Sequence, residues 1–251
     1  MIKNNHLTVT FRRLDGLLKD QAAETRDQPD ADVYTYARCM ADVEHVIAVV
    51  SDLCNGTSRI FNGGFATALG ISDYCEENSI WEKKVLSLMS DQEQEEKFIA
   101  EIRFIHYLRK LGPSRRHYYL MSKLRFEDAH GRMIDVLHRM YYVYDVGSES
   151  VRYAICLYGP LSVDFRGKGI AVNSLTGSCV ELSSSSDSGL ISRRERQVLK
   201  LIDSGLKSRE IADRLCISVH TVSRHRQEIL SRLHVNNSIE ACRLARSMGL
   251  I

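Results

Sequence analysis

The chain has 251 residues, 44% of them hydrophobic and 26% charged, with 34 Lys and Arg against 32 Asp and Glu. That length suits two folded domains, the larger able to bury its own core. No run reaches the ~20 apolar residues of a spanning helix, and the start, Met1-Ile-Lys-Asn-Asn-His-Leu-Thr-Val9, holds no stretch of signal-peptide length. Seven cysteines, an odd number without close pairing or metal-ligand spacing, fit a reducing cytosol and small buried apolar roles. The expectation is a cytoplasmic protein with no membrane partner.

Residues 1–43 read as flanking helices. Val46-Ile-Ala-Val-Val50 looks like a buried strand and Ser58 to Phe61 a second, separated by Asn55-Gly56. A short helix starts within Asn62-Gly-Gly-Phe-Ala-Thr-Ala-Leu-Gly70. A longer one follows, with Ser90 and Glu93 as a capping box, Phe98, Ile99, Ile102 and Ile105 as its buried stripe, and Gly112-Pro113 as its stop.

Three long strands come next. Tyr118, Leu120, Leu124 and Phe126 share one face of the first; Ile134, Val136, Met140, Tyr142 and Tyr144 share one face of the second. Val151, Tyr153, Ile155 and Leu157 share one face of the third. Ala129-His-Gly131 and Gly147-Ser148 supply the turns, and Thr176-Gly177 centres a hairpin over 169–182. Two strands, then helices, then three antiparallel strands is an order that resembles a PAS domain, with Phe61-Asn62 and Leu69-Gly70 similar to that family's opening segment. The likeness covers about residues 44 to 160. It implies a sensor or dimerisation module with a five-stranded antiparallel sheet, and the domain is taken as 44–182.

His138 alternates in register with the apolar face of its strand, so it is a candidate to line a pocket or bind a haem; its plainer reading is a core histidine. Trp81 is the second candidate, able to stack on a small planar ligand or simply to pack. The Asn-Cys-Arg motif of flavin-binding photosensory PAS domains is missing, which leaves Cys54 and Cys75 without that role. A single tryptophan also argues against the acyl-homoserine lactone pocket of quorum sensors. No cofactor and no metal site is expected, and the ligand remains open.

Ser183-Ser-Ser-Ser-Asp-Ser-Gly189 cannot bury apolar surface and reads as a flexible tether, spanning roughly 15 Å. Beyond it, Val198, Leu199, Leu201 and Ile202 form an apolar stripe at helical recurrence, capped by Ser192 with Glu195 and ended by Gly205. A second helix runs roughly from Ser208 to Leu215 with Ile211, Ala212 and Leu215 inward. Cys216-Ile217-Ser218 turns, and a third helix from about Val219 to Leu233 buries Val222, Ile229, Leu230 and Leu233. The last 62 residues hold 12 Lys and Arg against 6 Asp and Glu, leaving 22 against 26 in the first 189. The positive field is therefore concentrated at the carboxyl end.

Ser192, Arg194, Glu195, Val198, Leu199, Gly205, Glu210, Ile211, Ala212, Leu215, Ser218, Thr221, Val222, His225, Leu233, Glu240 and Ala241 together resemble the LuxR/GerE-type helix-turn-helix domain of bacterial transcription regulators. Residues 190–251 are taken as that all-α, four-helix domain. Lys207 departs from the family's capping Ser or Thr, and Ser208 is the expected substitute cap. The resemblance implies that the third helix reads DNA, with Ser223, Arg224 and Gln227 at base edges and Thr221, His225 and Arg226 at phosphates. Lys207, Ser218 and His220 complete the candidate DNA-binding set. The plainer reading makes these cations a solvated face, and His225 a packing residue. A last helix, about Asn237 to Met248, carries the family's dimer contact, with Ile239, Ala241, Cys242 and Ala245 as candidates.

The whole reads as an α+β chain: a sequence-specific DNA-binding regulator, homodimeric, acting on double-stranded DNA and RNA polymerase, whose PAS-like domain senses a small molecule or dimerises. Two competitors are an atypical response regulator and an enzyme-like or ligand-storing amino-terminal domain joined to a DNA-targeting module. The first needs a parallel α/β phosphoacceptor domain. The second lacks a phosphate-cradling glycine loop, a His-Glu-x-x-His pair and a nucleophile elbow.

Overall fold

The computed structural model describes residues 5–22, 31–145, 147–165, 167–183, 190–233 and 235–251. Of the tether expected at 183–189, residues 184–189 lie outside the described residues. Two compact units form: residues 17–182, and residues 183–251 together with the segment up to 16. The first helix, α1 (Asn5–Gln21), therefore divides at residue 16 between the two.

In the larger unit α2 (Ala31–Glu44) precedes β1 (Ile47–Asp52) and β2 (Thr57–Asn62). Then come α3 (Gly64–Ala68), β3 (Glu76–Glu77), α4 (Lys83–Leu86) and α5 (Asp91–Arg109). Five further strands follow: β4 (Tyr118–Glu127), β5 (Met133–Tyr144), β6 (Val151–Pro160), β7 (Gly169–Asn173) and β8 (Cys179–Glu181). They form one sheet in the order β3-β2-β1-β6-β5-β4-β7-β8, with every pairing antiparallel. The sheet has eight strands among the described residues, not the five expected. The hairpin around Gly177 joins the sheet through β7 against β4, and the two-residue β3 adds to the far edge of β2.

Register decides what each face carries. Met140 lies opposite Cys156 and Leu120, and His138 opposite Tyr158 and Ser122, so these side chains share one face. α5 covers it: its Phe98, Ile99, Ile102 and Ile105 are buried, and the Phe104 ring stacks on Tyr142 with centroids 5.9 Å apart. On the other face Val33, Ala37 and Ala41 of α2 pack on Ala48, Val50, Tyr153, Ile155 and Leu157. Of these, Val33, Val50, Ile155 and Leu157 each contribute ~1.5–3 kcal/mol by their burial. Covered on both sides, β6 is buried along its length up to Gly159.

α5 begins where Ser90, in extended conformation, accepts the Glu93 N–H through its side chain at 3.3 Å. It gives way to a 3-10 turn, Gly112–His117, whose first residue has φ +55. Proline at the next position has no N–H to offer a longer helix.

The smaller unit holds α6 (Arg193–Asp203), α7 (Ser208–Leu215), α8 (Val219–Leu233) and α9 (Ser238–Ser247). At the head of α6 the Ser192 hydroxyl accepts from Glu195 N at 3.2 Å, and the Glu195 carboxylate accepts from Ser192 N at 2.5 Å. Gly205 closes α6 in the left-handed region at φ +86. Ile211, Val222, Ile229, Leu233, Ala241 and Leu244 bury the core between the four helices. Arg12 of α1 reaches Glu240 of α9 at 3.2 Å.

Candidate nucleic-acid interface

α7 and α8 meet through a tight turn. Cys216 ends α7 with φ +51 and ψ 48, a left-handed residue without glycine's freedom. Ser218 then accepts the Thr221 N–H at 3.0 Å and shares a 2.8 Å hydrogen bond with the Thr221 hydroxyl, capping α8. The start of α7 differs from expectation. Lys207 holds the cap position in extended conformation, and Glu210 accepts its N–H at 2.6 Å. Ser208 lies inside the first turn and takes another partner. A lysine side chain has no acceptor, so only the returning carboxylate half of the cap can form here.

The placement of the candidate readers follows from helix spacing. Val222, Ile229 and Leu233 point inward, whereas His220, Ser223, Arg224 and Gln227 are exposed and polar. Arg224 is 73% exposed, and its Nε donates to Glu228 Oε1 at 2.9 Å. His225 is mostly buried, with Nδ1 3.4 Å from Glu228 Oε2. The Arg224 guanidinium, and after it His225, hold the Glu228 carboxyl below its usual range. Glu228 escaped the sequence reading; its spacing of four from Arg224 was the available signal.

Arg226 is a brace. One terminal nitrogen donates to the Ser208 hydroxyl and the other to the Ser238 hydroxyl, each at 3.0 Å, tying α8 to the first turns of α7 and α9. A groove of about 540 Å³ lies beside it, lined by Ser223, Gln227, Asn237 and Ile239 among others. The expected phosphate contact thus begins from a guanidinium already engaged within the domain.

For the dimer candidates the placement is a correction. Ala241, Cys242 and Ala245 face inward, with the Cys242 thiol 3.9 Å from the Leu199 carbonyl. Burial, then the nearby Asp203 carboxylate, pushes that thiol up to about 11. Their small side chains let α9 approach α6, which removes them from the outer surface. Ile239 is 66% exposed and alone remains for an outside contact.

In the larger unit His138 is fully buried, with Nδ1 3.0 Å from the Ser122 hydroxyl and its ring stacked on Tyr158 at 4.8 Å. Its Nε2 has no hydrogen-bond partner among the described residues. Burial, then the Lys97 charge, holds it well below the usual histidine value, so it is neutral. Trp81 sits edge-on to Phe98 at 5.7 Å. Sequence reasoning missed the charges beside them: Lys97 donates to Glu101 at 2.6 Å, both buried, and the Tyr158 hydroxyl donates to buried Glu82 at 3.4 Å. Burial alone would lower the Lys97 ammonium, but Glu101 and Glu82 raise it above its usual value. No group of three or more His, Cys, Asp or Glu that could hold a metal is found among the described residues, nor is any described helix long and apolar enough to cross a membrane.

The chain is 36% identical over 72 residues to the oxygen regulatory protein NreC of Staphylococcus epidermidis, covering 28% of this chain and 33% of that protein. It is 40% identical over 74 residues to the uncharacterized response regulatory protein YgeK of Escherichia coli, covering 29% and 50%. The chain thus spans a third to a half of the length of these relatives. The crystal structure of the phage VqmA–DPO complex aligns over 87% of this chain and 91% of that one at 15% identity, with a TM-score of 0.32, too loose a superposition to carry an argument. The family model for bacterial regulatory proteins of the luxR family matches residues 190–245, so the carboxyl-terminal part of this chain is a luxR-family helix-turn-helix domain.

Proposed function

We propose that this chain is a sequence-specific, DNA-binding transcription regulator. The observation that carries it is the outer row of α8: His220, Ser223, Arg224 and Gln227 stand exposed on a helix whose opposite side is the domain core. A rod of hydrogen-bonding side chains of this width suits the major groove. Thr221, His225 and Lys207 supply phosphate contacts around it, and Ser218 holds the helix start. A homodimer pairing through Ile239 of α9 sets two such helices on DNA, and RNA polymerase is the machinery such a regulator acts upon.

The larger unit is read as PAS-like: two strands, helices and three antiparallel strands, extended by β3 and the β7–β8 hairpin. Its all-antiparallel pairing speaks against a parallel phosphoacceptor domain. The buried His138 Nε2, unpartnered among the described residues, is a polar atom that a small sensed molecule would satisfy. Native mass spectrometry of the purified chain then shows extra mass released on denaturation. For the DNA reading, the full chain is used to select duplexes from a random pool. Enrichment of one motif in symmetric half-sites about 10 bp apart is expected. A pool that remains random at low salt sinks the proposal.

A further inference from the structure

Arg224 is attached in a way that has chemical consequences. Its Nε, not a terminal nitrogen, donates to Glu228 Oε1 at 2.9 Å, and its Nη groups make no hydrogen bond among the described residues. The Nη fork is the part of an arginine that meets O6 and N7 of guanine in a bidentate contact. An arginine held through Nε keeps that fork intact while losing much of its side-chain freedom. A loose arginine must give up that freedom on binding, at a cost in affinity.

Glu228 also needs an explanation of its own. A carboxylate on a helix facing a polyanion is repelled by every phosphate. Here the charge is not bare: Arg224 engages Oε1, and His225 Nδ1 lies 3.4 Å from Oε2. Both of its partners belong to the candidate reading helix. At i and i+4 on one helix the geometry is maintained without help from distant residues.

We propose that Glu228 is a positioning residue that fixes the Arg224 guanidinium for bidentate readout, making guanine the base specified by residue 224. This rests on the reading of α8 as the helix that enters the groove, and it adds the identity of one base and the residue that enforces it.

The test uses the full-length chain and sites selected from random duplexes. Each guanine is replaced in turn by 7-deazaguanine, which lacks the N7 acceptor, or by inosine, which keeps O6 and N7. At one guanine per half-site the wild type loses roughly tenfold in affinity with 7-deazaguanine and nothing comparable with inosine. In Glu228→Ala that penalty shrinks to about threefold or less, because the fork is no longer oriented. Glu228→Gln, whose amide oxygen still accepts from Nε, keeps most of the penalty. Arg224→Lys, which retains the charge but has no fork, abolishes it. A full 7-deazaguanine penalty in Glu228→Ala overturns the proposal, as does a wild type insensitive at every guanine. If the wild type enriches no duplex at all, the groove reading itself fails; selective binding with an unchanged penalty in Glu228→Ala overturns this proposal and leaves the groove reading standing.

Discussion

At the scale of single residues, Asp128 shows how one carboxylate shapes a turn. In the β4–β5 connection its Oδ1 accepts from His130 N at 2.8 Å and Arg132 N at 2.9 Å, and its Oδ2 from Arg132 Nε at 2.8 Å. These donors, the Arg132 backbone first, hold its carboxyl down at about 2. The folded state therefore binds the proton less readily than the unfolded chain. The stabilisation is present above the unfolded value near 3.8 and is lost as pH falls through about 2. Asp128→Asn keeps an acceptor and removes the charge. Urea midpoints measured against pH should place the variant below wild type at pH 6, with the gap closing between pH 4 and 2. A gap that stays constant over that window refutes the assignment. The buried Lys97–Glu101 pair is a different case, because removing one partner leaves a charge without its neighbour in the core.

Among the elements, the α7–α8 turn stores identifiable strain. Cys216 adopts φ +51, where a side chain beyond glycine costs roughly 1–2 kcal/mol. Cys216→Gly should relieve most of it, offset by the greater freedom of glycine in the unfolded chain. The net effect is stabilisation of the helical domain by ~0.5 kcal/mol, visible as a higher thermal midpoint. A lower midpoint would mean that the thiol, 3.8 Å from the Asp213 carbonyl, contributes more than the backbone loses. This stretch was legible in the sequence because its signals are local. Ser192 with Glu195, Gly205, and Ser218 three residues before Thr221 each satisfy backbone groups within one turn. The sheet was less so. Tyr153, Ile155 and Leu157 were read as sharing one face of their strand and do so against α2, but the burial of Cys156 and Tyr158 on the opposite face, toward α5, was not read. Burial on both faces depends on a helix more than a hundred residues away, which alternation within one strand does not report. Lys97 and Glu101 failed for the opposite reason, since a pair at i and i+4 looks like solvated surface. Ala241 and Ala245 were assigned outward although Leu244 and Met248 continue their stripe at helical spacing, an inward pattern.

For the molecule as a whole, the near-neutral total conceals a division. Residues 190–251 carry 12 basic and 6 acidic groups, and the rest of the chain 22 and 26. Within the helical domain Arg224, Arg232 and Arg246 pair with Glu228, Glu195 and Asp203, so half of its acidic groups are already neutralised locally. The remaining cations, Lys207 among them, set the field that a phosphate backbone meets. If each subunit neutralises ~5 phosphates, a dimer on its site displaces enough counterions for a slope of log affinity against log salt of about −9. Fluorescence anisotropy on a selected duplex between 50 and 300 mM salt measures that slope. A value near −4.5 would mean one helical domain engaged per complex, and the symmetric two-domain arrangement would have to be abandoned. Lys207→Ala should reduce the steepness by about two in the dimer, one for each subunit, with equal loss on every sequence. Loss confined to one sequence would instead make Lys207 a base contact, reversing its assignment to the phosphate backbone.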